Sequence, residues 1–213
     1  LGIAGAEAEL VWHRETDLSE FDGIVLPGGF AHGDALRTGA IARFSPVMAE
    51  VKRLADDGIP VLGICNGFQV LCEAHMLPGA LHQNRDLTFI CRPIHVRVET
   101  TDSILTRAAE VGQVLNIPLN SYEGNFTVAD PAAMNGKVLA RYSDAAGNVS
   151  DTTNPNGSLG SIAAISNGAG NVAGIMPHPE RAVEEILRSA DGLVMIRSFV
   201  ESSRSGRFHN EAR

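Results

Sequence analysis

The sequence predicts an α/β domain, an open, mostly parallel sheet with helices on both faces and an antiparallel extension. Three observations predict it. Short apolar strands alternate with amphipathic helices over roughly the first 80 residues, the pattern of a parallel sheet covered by helices. Two of those strands run straight into chemistry-bearing turns, Pro27-Gly28-Gly29 and Gly63-Ile64-Cys65-Asn66-Gly67. The C-terminal edges of strands are where open α/β sheets bind ligands. After that the chain reads as strand upon strand, separated by polar turns.

Taken in order, residues 1–10 read as the end of an Ala/Glu-rich helix, and residues 9–13 as a short strand. An α/β domain ordinarily opens on a strand and then a helix. The expectation is therefore that an N-terminal strand is missing from this chain or belongs to a longer parent. Residues 21–26 form the next strand candidate. Residues 40–57 read as helical, with Ile41, Phe44, Val47, Met48, Val51 and Leu54 at three- and four-residue spacings. Gly58 stops that helix, residues 59–64 supply a strand, and residues 68–74 a second helix ending before Pro78-Gly79. Residues 94–98 alternate apolar and polar like a half-exposed strand, and 114–119 and 137–142 are further strands. Segments 161–166 and 171–176 flank Asn167-Gly168-Ala169-Gly170 as a hairpin. Residues 186–200 are expected to close the chain as an amphipathic helix, followed by a polar tail at 201–213. No repeat or long linker divides the 213 residues, so residues 1–213 are read as a single domain.

Composition narrows the partners. A net charge of −8 argues against nucleic acid or an anionic membrane, both of which attract basic surfaces. No apolar run approaches the roughly 20 residues of a membrane helix, and no signal peptide opens the chain. Three cysteines, Cys65, Cys72 and Cys91, are too few and too odd for a disulfide framework, which fits a reducing cytoplasm. No C-x-x-C or H-x-x-x-H pair suggests a metal.

Residues 63–67 have the form G-x-C-x-G, the cysteine counterpart of the nucleophile elbow. Glycines flank such a nucleophile because a Cβ on either neighbour would collide with the adjoining strand or helix. A cysteine there sits at a helix N-terminus, where partial positive charge favours the thiolate. The motif alone equally describes a buried structural cysteine. A nucleophile needs a base and the base an orienting group. His178 and Glu180 stand two apart between prolines that hold the segment extended, so their side chains share a direction. In isolation the pair also describes a loop histidine beside a solvated acid. Gly28 and Gly29 would let backbone N–H groups approach an oxyanion, and the N–H of Asn66 offers a second donor. His32 lies next to this loop and is the one further histidine in a suggestive setting. The glycines of residues 28–34 form neither a Walker loop nor a dinucleotide fingerprint. Any ATP must therefore be bound by a partner.

Pro-Gly-Gly at a strand end, then G-x-C-x-G-x-Q, then His-Pro-Glu, in that order, resembles the class I (triad) glutamine amidotransferases, whose domain is flavodoxin-like. The resemblance implies that Cys65 is the nucleophile, His178 the general base and acid, and Glu180 the group orienting His178. Gly28, Gly29 and Asn66 would form the oxyanion region, and Gln69 would help hold L-glutamine. Further blocks are similar to the PurQ type, the glutaminase subunit of phosphoribosylformylglycinamidine synthase. These are Gly28-Gly29-Phe30 with Gly33-Asp34 and Leu36-Arg37, Cys65-Asn66-Gly67-Phe68-Gln69, Leu77-Pro78-Gly79-Ala80-Leu81, Asn154-Pro155-Asn156-Gly157-Ser158 and Met176-Pro177-His178-Pro179-Glu180-Arg181. The similarity runs from about Trp12 to Phe199.

This implies hydrolysis of glutamine to glutamate and ammonia. The ammonia would pass to a PurL-type synthetase that uses ATP and Mg to convert formylglycinamide ribonucleotide (FGAR) to formylglycinamidine ribonucleotide (FGAM). A small PurS-type subunit is implied as well, and no cofactor in this chain. Two positions depart from the pattern. Thr38 stands where a cysteine is common, and residues 120–125 lack the histidine many relatives carry, which bears on whether that loop lines the site. Two other readings share the fold. One is a free-standing cysteine or γ-glutamyl hydrolase, and the other an inactive, truncated interaction subunit.

Overall fold

The computed structural model describes residues 1–206 and Phe208. Among the described residues, nine strands and three α-helices follow one another, joined by short 3₁₀ turns. Strand β1 (Ile24–Leu26) leads through a loop to helix α1 (Val47–Asp56), strand β2 (Val61–Ile64) and helix α2 (Asn66–Glu73). Strands β3 (Ala80–His82), β4 (Ile90–Val98), β5 (Val114–Ser121), β6 (Asn125–Thr127), β7 (Gly136–Ser143), β8 (Ile162–Asn167) and β9 (Val172–Ile175) follow, and helix α3 (Leu193–Arg204) comes last.

Seven strands form one sheet in the order β1-β2-β9-β8-β7-β4-β5, and β3 pairs with β6 apart from it. β1, β2 and β9 are parallel, while β9-β8, β8-β7, β7-β4 and β4-β5 are antiparallel. The α/β class with an antiparallel extension stands, and the extension is the larger part of the sheet. β2 and β9 are buried along their whole length, as strands covered on both faces must be. β5 alternates half-buried and buried, with one face on the core. The core is one contiguous cluster that includes Leu62, Phe68, Leu71, Ile104, Leu115, Ile117, Phe126, Tyr142 and Ile165.

Several expected boundaries move, each for a local reason. The N-terminal helix and the strand at 9–13 do not form: beyond a 3₁₀ turn at Gly2–Ala4 that stretch is irregular, with Leu10 and Trp12 exposed. The helix expected at 40–57 is broken at Ser45-Pro46. Ser45 is extended, as the residue before a proline prefers, and α1 starts only after Pro46. The closing helix begins at Leu193 rather than 186, because residues 185–187 form a 3₁₀ turn and Ile186 is exposed. That helix continues to Arg204, so the expected tail at 201–213 starts later. Residue 207 and residues 209–213 lie outside the described residues. The hairpin at 161–176 forms as expected, with β8 and β9 antiparallel. No described helix is long and apolar enough to cross a membrane.

Candidate active site

The elbow between β2 and α2 is built by close backbone contact. A Cβ on Gly67 would stand 1.9 Å from the Leu26 carbonyl oxygen, and one on Gly63 would stand 2.7 Å from the Gly67 carbonyl. Only glycine at these positions lets the helix start against β1 and β2. Cys65 between them is held at φ 51°, ψ −107°, a conformation non-glycine residues rarely adopt. Its N–H is fixed by the Ile175 carbonyl at 2.8 Å. The Cys65 side chain therefore leaves the sheet edge at the N-terminus of α2.

His178 leaves the same edge three residues after β9. The side chains of His178 and Glu180 do share a direction: Nδ1 of the imidazole lies 2.7 Å from Oε1 of the carboxylate. The ring is 8% exposed, and its Nε2 is buried without a hydrogen-bond partner. Burial opposes the charged imidazolium, but the Cys65 thiol and Glu180 outweigh it, and the pKa is pushed up to about 9. The thiol stands beside the ring and is the first of the two influences that raise its pKa. Cys65 Sγ also lies 3.5 Å from the Asn120 carbonyl oxygen.

Gly28 fits between the two. A Cβ there would come within 2.9 Å of His178 Cε1 and 3.4 Å of Cys65 Cβ. Asn66 ties the glycine loop to the elbow, since its Oδ1 accepts from the Ala31 N–H at 3.1 Å and its Nδ2 donates to Gln69 Oε1 at 3.0 Å. Gln69 in turn donates from Nε2 to the Glu123 carbonyl at 2.6 Å. The structure thus brings Cys65, His178, Glu180, Gly28, Gly29, Asn66 and Gln69 to one edge. Gly29, Cys65, Gln69 and His178 line a cavity of about 350 Å³. His32 is exposed, and its ring packs against His13.

Residues 120–123, whose part in the site the sequence left open, line the same cavity. They are clamped by buried asparagines. Asn84 Nδ2 donates to the Ser121 carbonyl at 2.8 Å, and the Gly124 N–H donates to Asn84 Oδ1 at 3.0 Å. Asn156 Nδ2 donates to the Gly124 carbonyl at 2.7 Å. This gives the Asn154-Pro155-Asn156-Gly157-Ser158 block a physical task. Thr38 Oγ1 donates to Glu123 Oε2 at 2.9 Å, so that position also supports the loop. Asp34 and Arg181 reach the cavity too. Sequence reasoning did not assign Asp34, Glu123 or Arg181, although Asp34 and Arg181 lay inside the motifs it quoted and Glu123 inside the segment 120–125 it singled out as departing from the pattern.

A strained cysteine at a helix N-terminus, a buried imidazole aligned by a carboxylate, and a glycine loop beside them are the parts that acyl transfer through a thioester requires. The comparisons with known proteins agree in kind. The model of the CobB/CobQ-like glutamine amidotransferase domain matches residues 3–194. The PurQ subunit of phosphoribosylformylglycinamidine synthase from Salinibacter ruber is 48% identical over 198 residues, 91% of this chain and 84% of that protein. Its counterpart from Lacticaseibacillus paracasei is 48% identical over 206 residues, 94% of this chain and 86% of that protein. The solved PurLQS structure from Thermotoga maritima superposes with a TM-score of 0.78 at 40% identity, covering 86% of this chain and 81% of that one.

Proposed function

This chain belongs to the CobB/CobQ-like glutamine amidotransferase family, and on that premise we propose how its site works. The chain is the glutaminase subunit of a phosphoribosylformylglycinamidine synthase. It hydrolyses L-glutamine to glutamate and ammonia for purine biosynthesis, with a PurL-type synthetase and a PurS-type subunit as partners. Residues 1–213 act as a single amidotransferase domain around one core. ATP and Mg are used on the synthetase, which aminates FGAR to FGAM. Its place of work is the cytoplasm, a reading supported by the three unpaired thiols.

The observation that carries the mechanism is the alignment of His178 by Glu180 beside Cys65. Cys65, as the thiolate whose proton rests on His178, attacks the side-chain carbonyl carbon of glutamine, and the carbonyl π electrons move to oxygen. The N–H groups of Gly29 and Asn66 receive that oxyanion. His178, charged at neutral pH, donates its proton to the leaving nitrogen, and ammonia departs as the carbonyl re-forms in a thioester. The neutral ring then takes a proton from water, which adds to the thioester and expels the Cys65 thiolate. Glu180 keeps the imidazole in the orientation and tautomer that both steps need. Gln69 holds the Glu123 loop against the bound amino acid.

Co-expressing the chain with its synthetase partners tests this reading. Glutamate release that depends on FGAR and ATP, and matches FGAM formed, is the expected result. Glutamine turnover indifferent to the partners would favour a free-standing hydrolase instead.

A further inference from the structure

The chemistry above leaves the Leu36-Arg37 motif without a task. It lies in a segment, from Gly29 to Ala40, whose backbone runs against ordinary preference. His32, Asp34 and Leu36 all take left-handed backbone, at φ 56°, 54° and 70°. Residues other than glycine keep that conformation only where their surroundings over-determine it. Here the surroundings are helix α2, which the segment meets at three levels. At the first turn Asn66 Oδ1 accepts from the Ala31 N–H at 3.1 Å. Midway, a Cβ on Gly39 would stand 2.9 Å from the Val70 nitrogen, so backbone lies against backbone. At the last turn Arg37 Nε and Nη2 donate to the two carboxylate oxygens of Glu73 at 2.6 and 2.7 Å. Such a two-pronged pair fixes direction as well as distance. Glu73 is a firm anchor: its side chain is 12% exposed, and its carbonyl accepts from Arg43 Nη1 at 3.0 Å. Leu36, beside Arg37, is 91% exposed, so apolar burial does not hold this corner down.

We propose that Arg37 and Glu73 are positioning residues: their ion pair, at the far end of the elbow helix, clamps the strained segment 30–38 onto α2 and thereby sets where the Gly29 N–H points. Without the fork, His32, Asp34 and Leu36 are free to relax toward ordinary backbone, and Gly29, at the start of the same segment, moves with them. A donor aimed at a developing oxyanion matters most in the transition state, so its displacement lowers kcat more than it raises KM. Global stability should hardly notice, because ion pairs with an exposed partner contribute little to it, and the Arg37 side chain is 61% exposed. This inference rests on the glutaminase reading and adds what holds the glycine loop in register with the elbow.

The test measures steady-state glutamine hydrolysis in the complex with the synthetase, together with amide hydrogen exchange of residues 30–38. The variants are Arg37→Gln, Glu73→Gln, the two combined, and Arg37→Lys, which keeps the charge without the fork. Each single Gln variant is expected to lose about 10-fold or more in kcat, with KM within about 3-fold of the parent and an unmoved melting temperature. Exchange of the 30–38 amides should quicken in both. The double variant should be no worse than either single one, because the two residues act as a unit. Arg37→Lys should fall between the parent and Arg37→Gln. A parental kcat, a loss carried in KM, unmoved exchange, or losses that multiply in the double variant would each overturn the proposal. If the unaltered complex turned over no glutamine, the glutaminase reading itself would fall. Turnover in that complex with indifferent variants would defeat only the clamp.

Discussion

The backbone N–H of His178 donates to the carbonyl of Pro118 at 2.8 Å. Pro118 lies on β5, at the opposite edge of the sheet from β1, while His178 follows β9 near the parallel end. The sheet therefore curls until its antiparallel edge meets its catalytic edge. One consequence is that residues 120–123, which end β5 and follow it, face Cys65.

Gly28 makes that closeness testable. Gly28 is exposed, so a methyl group there should leave the melting temperature nearly unchanged. It would still crowd His178 Cε1 at 2.9 Å and Cys65 Cβ at 3.4 Å. Misplacements of this order cost roughly 10²-fold in rate. Gly28→Ala is expected to lose about that much glutaminase kcat/KM, and steady-state kinetics beside a thermal melt will show whether activity falls alone.

Gly67 should respond differently. Its missing Cβ would overlap the Leu26 carbonyl oxygen at 1.9 Å, between backbone segments that cannot yield without moving α2. Gly67→Ala should destabilise the fold by about 2–3 kcal/mol or more, measurable by urea unfolding. A variant as stable as the parent would mean that α2 does not dock as described.

Glu180 holds the His178 pKa up, so Glu180→Gln should bring it down from about 9. The amide can still accept from Nδ1 but no longer supplies a charge. NMR titration of the imidazole Cε1–H reads the shift directly, and kcat should fall by about 10²-fold or more. An unmoved titration would show that the 2.7 Å contact is not an ion pair in solution.

The same pKa sets a sign for stability. The folded His178 value of about 9 exceeds the ordinary histidine value of 6.5, so the imidazolium contributes stability that is fully present below about pH 6.5. That contribution is lost as pH rises through about 9. The difference in unfolding free energy between the parent and His178→Gln should therefore shrink from pH 6 to pH 9.5. A constant difference would contradict the shift.

How much of this was legible in the sequence depended on whether a feature was local. The elbow was, because Gly63 and Gly67 are two residues either side of Cys65 and their purpose is steric. So was the His178–Glu180 pair, whose alignment follows from two-residue spacing in an extended segment. The β8–β9 hairpin was equally readable from its Asn-Gly turn. The Thr38–Glu123 and Gln69–Glu123 bonds span 85 and 54 residues and depend on the curl of the sheet, which no periodicity encodes. Asp34 was hidden because a lone acid in a glycine-rich loop looks solvated until the fold encloses it. The closing helix was misplaced because Ile186 continues an apolar spacing that the bridge between Glu184 and Ser189 interrupts.

The central claim is that Cys65 is the nucleophile that releases ammonia from glutamine. It is tested most directly by Cys65→Ala in the assembled complex, assayed for FGAM formation with glutamine and, separately, with free ammonium. The account predicts that glutamine-dependent synthesis disappears while ammonium-dependent synthesis by the partner persists. Glutamine-dependent synthesis near the parent rate would contradict it.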